Sequence, residues 1–205
     1  MKVLMLFLFM VSLAVAQSFE DFERRLEGIR SIRVDFVQRV QYPWQSKPEV
    51  SKGIFYAQRG GRFRIEYEQP EKTLIVSDGV QVMVYVPRDR TAFLERVERN
   101  SSPVVEALFL VSRPLSEVFE LVGEMEGSRG KTFILKPKVR DDYFSRVLVE
   151  VSSRGDIRSI RGEEKGGTIT TIEFLRITTN FTPSENLFRV VVPEGANFVY
   201  YPYQR

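Results

Sequence analysis

The chain has 205 residues, with 30 Lys and Arg against 27 Asp and Glu, a formal charge of +3, and neither histidine nor cysteine. That composition excludes Ser-His-Asp and Cys-His catalysis, disulfides and thiolate metal sites, and argues against a zinc centre. Charges of both signs are interspersed, and no basic cluster alternates with stacking aromatics, so the balance reads as a solvated, ion-paired surface and not as a nucleic-acid footprint.

Lys2 precedes an unbroken apolar run from Val3 to Ala16, which closes on the small-x-small triplet Ala14-Val15-Ala16. This is the pattern of a secretory signal peptide cleaved before Gln17, too short to span a bilayer. Residues 1–16 are therefore expected to be a signal peptide and 17–205 a single domain, a usual size for one core. No cysteine follows the cleavage site, so no lipid anchor is expected.

Ser18 is placed to cap a helix over 18–29, in which Phe19, Phe22, Leu26 and Ile29 recur at helical spacing and Gly28 marks the end. Ile32, Val34, Phe36 and Val40 then alternate as a strand, with Gln38 on the same face. A loop from Tyr42 to Pro48 holds Trp44. Strands are predicted at 53–59, 62–68, 73–77, 81–86 and 91–97. The clearest is 62–68, where Phe63, Ile65 and Tyr67 point one way and Arg62, Arg64, Glu66 and Glu68 the other. Asp78-Gly79 is a strong hairpin signal.

The pattern changes at Asn100-Ser101-Ser102-Pro103. Val104, Val105, Leu108 and Phe109 sit at helical spacing, and Pro114 opens a second helix carrying Leu115, Val118, Phe119 and Val122. Strands resume at about 131–137, 143–152, 156–163, 168–178 and 186–192, separated by short turns. The expected fold is mainly β, of the α+β class: an antiparallel meander of about eleven strands. Such a sheet is too large to stay flat and curls into an incomplete barrel. The helices at 18–29 and 103–122 are the expected lid over its greasy face.

Two adjacent carboxylate pairs, Asp141-Asp142 and Glu163-Glu164, are the only hint of carboxylate chemistry. Neighbours on a strand face opposite ways, so both pairs read as solvated surface. The glycosylation-like triplets at Asn100 and Asn180 occur at chance level.

The motifs F-x-Q (Phe36, Gln38), G-x-F-Y (Gly53–Tyr56), R-x-G-R-F-R-x-E-Y-x-x-P (Arg59–Pro70), V-S-D-G (Val76–Gly79), Y-x-P (Tyr85–Pro87) and P-E-G-A-N-F-V (Pro193–Val199) come in one order along the chain. In that order they resemble the LolA family of periplasmic outer-membrane lipoprotein carriers, over essentially the whole mature chain. The resemblance implies an incomplete antiparallel β-barrel with an α-helical lid. It implies a monomeric periplasmic carrier, not an enzyme, needing neither cofactor nor metal. Such a carrier accepts acylated lipoproteins from an inner-membrane Lol-type ABC transporter and delivers them to a LolB-like outer-membrane receptor; the alternative on the same fold is a carrier of another lipid or a periplasmic lipid or lipoprotein sensor domain.

Residue by residue, the resemblance makes Arg59 a latch that bonds backbone carbonyls of the lid. It places Leu26, Ile32, Phe36, Phe63, Ile65 and Ile75 in an acyl-chain cavity, with Val105, Leu108 and Phe109 on the underside of the lid. Three positions depart from the family pattern: Gly60 replaces a proline, Ile65 a tryptophan and Met83 another aromatic. The last two imply a cavity of different shape. The short tail after Tyr201 argues against an extra C-terminal strand.

Overall fold

A computed structural model describes residues 18–97, 113–138 and 143–200. The signal segment, Val104–Phe109, Asp141-Asp142 and the chain beyond Tyr200 lie outside the described residues.

Helix α1 (Phe19–Glu27) forms where predicted. Ser18 Oγ accepts from the Asp21 amide at 3.1 Å, Glu20 and Asp21 sit in the first turn, and Arg24 and Arg25 sit in the last. Each charge complements the helix dipole at its own end. The first meander follows: β1 (Ser31–Gln41), β2 (Glu49–Gln58), β3 (Arg62–Gln69), β4 (Thr73–Asp78), β5 (Gln81–Val86) and β6 (Thr91–Arg96). The second comprises the one-turn helix α2 (Leu115–Val118), β7 (Phe119–Gly127), β8 (Gly130–Pro137), β9 (Phe144–Ser152), β10 (Ile157–Glu164) and β11 (Ile169–Thr179), followed by β12 (Asn197–Tyr200).

All twelve strands form one sheet in the order β12-β6-β5-β4-β3-β2-β1-β11-β10-β9-β8-β7. Two meanders are joined side by side by the antiparallel β1–β11 ladder. The sheet ends at β12 and β7 without closing, which makes it an open sheet and not a sealed barrel.

Two sequence expectations are corrected, and one strand is added. The second helix stops at Val118, and Phe119–Val122 belongs to β7. Apolar residues at 115, 118, 119 and 122 fit a helix. Phe119 and Leu121 also fit a strand, and pairing with Pro137 and Leu135 of β8 decides the matter. Residues 186–192, expected as a strand, pair with none. Instead Val190, Val192 and Ala196 lie flat on Val76, Met83 and Ala92. A strand at Asn197–Tyr200 is not among those expected: β12 adds to β6 in parallel, against an otherwise antiparallel pattern, while the tail after Tyr201 lies outside the described residues.

The inner face, on which α1 lies, contains the largest core. Phe19 and Phe22 pack with Leu115 and Val118 of α2 onto Phe133, Leu135, Val147, Val149, Val151 and Ile160 of β8–β10. Phe22 is 1% exposed and stacks on Phe133 with ring centres 5.4 Å apart. The outer face of the central strands is charged. Asp35 pairs with Arg33 at 2.8 Å and Arg176 at 3.7 Å, and Arg39 with Glu173 at 2.6 Å. Glu163 Oε2 accepts from Arg146 Nε and Nη2 at 3.0 and 2.7 Å, and its other oxygen faces Arg161 at 3.3 Å. Pairs this exposed contribute little each, but they keep that face in water. Glu163 thus serves the sheet surface, as its alternation predicts.

Replacing Phe22 by Ala should destabilise the fold by about 3–5 kcal/mol, the usual cost of removing a fully buried aromatic ring. Chemical denaturation measures this, and a loss below about 1 kcal/mol would contradict the packing described. Burial alone would raise the Glu163 carboxyl, but the Arg146 and Arg161 guanidiniums outweigh it and hold the group below its usual range. Its contribution is therefore present above the unfolded value, near 4.3, and is lost as pH falls through the lower folded value. Glu163→Gln should flatten the acid limb of a stability–pH profile and leave the alkaline limb unchanged.

Candidate functional site

The two halves of the inner face are not equally covered. Under α1 the side chains of β8 and β9 are sealed, with Phe133, Leu135, Val147 and Val151 showing no exposed area. Across β1 the picture changes. The inner positions of β3, β4 and β5 follow from the register Phe63↔Ser77, Ile65↔Ile75, Tyr67↔Thr73, Ile75↔Val84 and Ser77↔Val82. None of these residues carries a charge. Phe63, Ile65, Tyr67, Ile75, Val82 and Val84 are each only partly buried. The result is an uncharged, largely apolar surface of rigid strands, the kind of wall that receives a hydrophobic ligand.

Ile32 and Phe36 form the buried floor between the two halves, with Val34 and Ala57 and against Phe63 and Ile65. Phe174 of β11 touches both this cluster and the one beneath α1. Of the sequence-predicted cavity residues, Ile32, Phe36, Phe63, Ile65 and Ile75 therefore share one face. Leu26 packs with the β8–β10 cluster instead. Val105, Leu108 and Phe109 lie outside the described residues. Met83 does not shape this wall. It pairs with Val76 and Leu94 on the outer face, 1% exposed beneath the 188–196 segment.

Two residues outside the predicted set share this face. Tyr67 donates its hydroxyl to Gln38 Oε1 at 3.0 Å and meets the Phe36 ring edge-on at 5.7 Å. Burial pushes its phenol above the usual range, so it remains neutral. Phe55 stands between Val34 and Ile65. Both follow the same two-residue alternation as their neighbours, which is the signal that finds them. Gly53 is required opposite Tyr67, because a Cβ there would lie 2.2 Å from the Glu66 carbonyl oxygen.

The C-terminal end of α1 is held at the rim of this wall. Arg59, in the β2–β3 turn, donates Nε to the Ile29 carbonyl at 2.8 Å and Nη2 to the Glu27 carbonyl at 2.5 Å. From the other side Asn180, at the end of β11, donates Nδ2 to the Gly28 carbonyl at 3.2 Å and accepts the Arg30 amide at 2.7 Å. Helix-end carbonyls have no partner within the helix, and a guanidinium beside them also complements the negative end of the dipole. Asn180 adopts φ +56°, a left-handed conformation that asparagine tolerates better than most residues. Its role comes from this position and not from the glycosylation-like triplet. The crevice beside Arg59, lined by Ile29, Ile32 and Ala57, holds about 10 Å³, no more than one water. Among the described residues no group of acidic side chains is arranged to bind a metal.

The profile of the outer membrane lipoprotein carrier protein LolA family matches residues 27–191. An outer-membrane lipoprotein carrier protein of Actinobacillus pleuropneumoniae serotype 7 (strain AP76) is 29% identical over 187 residues, covering 89% of this chain and 84% of the relative. One from Nitrosospira multiformis is 24% identical over 197 residues, covering 96% and 95%. Among solved structures, a conserved protein of Thermus thermophilus shares the fold, with a TM-score of 0.59 at 13% identity, over 90% of this chain and all of that one. The match over most of the length, on a fold with one open apolar half, establishes that this chain belongs to the LolA family of outer-membrane lipoprotein carrier proteins.

Proposed function

We propose that the protein carries lipoproteins by shielding their acyl chains between the inner face of β1–β5 and a helical cover. The observation that carries this reading is the uncharged, partly buried wall of β3–β5, which contrasts with the sealed half under α1. Each acyl methylene left in water costs about 0.8 kcal/mol, so several long chains amount to tens of kcal/mol and forbid free diffusion between membranes. A carrier must offer apolar surface in the absence of cargo without exposing so much that it aggregates. No covalent step is needed, and the protein works without cofactor or metal.

In this reading Ile32, Phe36, Phe63, Ile65 and Ile75, joined by Phe55 and Tyr67, contact the acyl chains. Leu26 stays in the β8–β10 core, and Val105, Leu108 and Phe109 form the underside of the cover. Arg59 is the latch. It holds α1 by two carbonyls, and bound chains compete with that closed arrangement. After loss of residues 1–16 the single domain from Gln17 onward works in the periplasm as a monomer. It receives cargo from an inner-membrane ABC transporter of the Lol type and yields it to a LolB-like receptor at the outer membrane.

The direct test adds the purified protein to spheroplasts making a triacylated lipoprotein. The expected result is release of that lipoprotein as a soluble one-to-one complex. A folded protein that releases none would refute the lipoprotein assignment and point to another lipid as cargo. Arg59→Leu should accept cargo and release it poorly, because a cover that is not held shut no longer competes with the chains. Normal transfer from that variant to outer-membrane vesicles would remove the latch role and leave the carrier role standing.

A further inference from the structure

The chain's only tryptophan is in the β1–β2 loop and is not one of the wall residues. Trp44 is at the apex of the β1–β2 loop and is 75% exposed. It is not loosely held. Its ring stacks on Tyr42 at 5.1 Å, the Gln45 amide donates to the Tyr42 carbonyl at 3.2 Å, and Gln41 Nε2 donates to the carbonyls of Tyr42 and Gln45 at 2.9 and 2.6 Å.

Its surroundings have the same character. The pairings Gln41↔Ile169, Glu164↔Phe144, Lys52↔Gln69 and Val86↔Thr91 place the turns at 42–48, 70–72, 87–90 and 165–168 at one end of the sheet, beside Tyr143. Pro43 packs against Gly167, and the Lys165 amide donates to the Tyr143 carbonyl at 2.9 Å. Tyr143 is itself 66% exposed. Lys47, Lys72, Arg88, Arg90 and Lys165 lie in these turns with Glu71 and Asp89, and Glu49, Glu68 and Glu164 border them. Arg88 offsets Glu71 at 3.5 Å, and Lys47, Lys72 and Arg90 stand against Asp89.

We infer that this rim is a docking surface for a bilayer containing anionic phospholipid, with Trp44 entering the interfacial layer. Trp and Tyr favour the headgroup level, where an apolar ring and a polar edge are both satisfied. Lysines beside them reach phosphates, and each basic residue near an anionic surface adds to the attraction. The basic side chains of the turns are complementary to such a surface, and the aromatics beside them suit the layer just beneath. Binding by a few side chains without an inserted helix is weak and reversible, as an encounter with a membrane requires. The inference does not rest on the carrier reading, since Trp44 lies outside the proposed acyl-chain wall.

Because Trp44 is the sole tryptophan, its fluorescence reports on this rim alone. The purified protein is mixed with vesicles of phosphatidylcholine, with and without phosphatidylglycerol. The expected result is a blue shift with the anionic vesicles and quenching by lipids brominated near the headgroup end of their chains. High salt should weaken binding, Lys47→Ala should reduce partition about fivefold, and Trp44→Ser should abolish flotation with vesicles. An unshifted, unquenched Trp44 would overturn the proposal whether or not the protein floats. Equal partition onto phosphatidylcholine alone would overturn the anionic-lipid assignment. A shift seen only with vesicles that retain membrane proteins would overturn the lipid assignment and give the rim to a protein partner. In every case lipoprotein release from spheroplasts is read separately, so failure here is distinct from failure of the carrier reading.

Discussion

The rest of the structure depends on the ladder between β1 and β11. It joins strands from opposite ends of the chain, running from Ile32↔Thr179 to Gln41↔Ile169, with one irregularity at Asp35/Phe36. Without it there would be two separate meanders, each with a raw edge. With it Val34 and Phe36 become the floor of a continuous inner face. Non-local pairing of this kind is costly in loop-closure entropy and forms slowly. The same ladder sets the fate of α1. Because β2 and β11 flank β1, Arg59 and Asn180 reach the end of the helix from both sides and take up the carbonyls of Glu27, Gly28 and Ile29. A helix of nine residues gains most of its stability from such tertiary contacts.

From that arrangement follows an asymmetry between the halves. Phe19 and Phe22 fill the space above β8–β10, so that half behaves as an ordinary core. The β3–β5 half presents the same alternation of apolar residues without an equivalent plug among the described residues. A sheet is indifferent to whether its greasy face is met by its own helix or by a ligand, since the burial energy is similar. What distinguishes a core from a binding wall here is how much of that face remains accessible and how easily the cover above it can leave. Side-chain-to-carbonyl bonds at an exposed rim can be exchanged for water at small net cost, whereas the Phe22–Phe133 stack cannot.

Charge is sorted by location. The inner wall carries none on β3–β5, the outer face of the central strands carries interleaved ion pairs, and one rim carries aromatics with basic residues. The absence of histidine and cysteine is of a piece with this arrangement, in which every contribution comes from burial, hydrogen bonding and electrostatic position.

Local sequence determined the elements wherever the two faces of a strand differ. Arg62–Glu68 reads as β3 because charge and aromatics strictly alternate, and Ser18 with Phe19 and Phe22 reads as a capped helix because cap and periodicity agree. The family was legible in the Arg59–Gly79 block, and the wall residues were named through that resemblance, while alternation gave only which residues of a strand share a face. Local sequence failed where both faces are apolar or where two periods fit. Val82, Met83 and Val84 give no parity signal, and only the 188–196 segment lying over the outer face assigns Met83 to that side. Phe119–Val122 satisfies helical and strand spacing alike, and the β8 edge made the choice. The 186–192 segment carries apolar residues on both faces, and with β12 on the free edge of β6 it covers a face instead. The grip of Arg59 and Asn180 on one helix end needed the β1–β11 ladder before it could exist. Periodicity is a property of neighbouring residues, while faces, edges and rims are settled only when distant segments compete for the same surface.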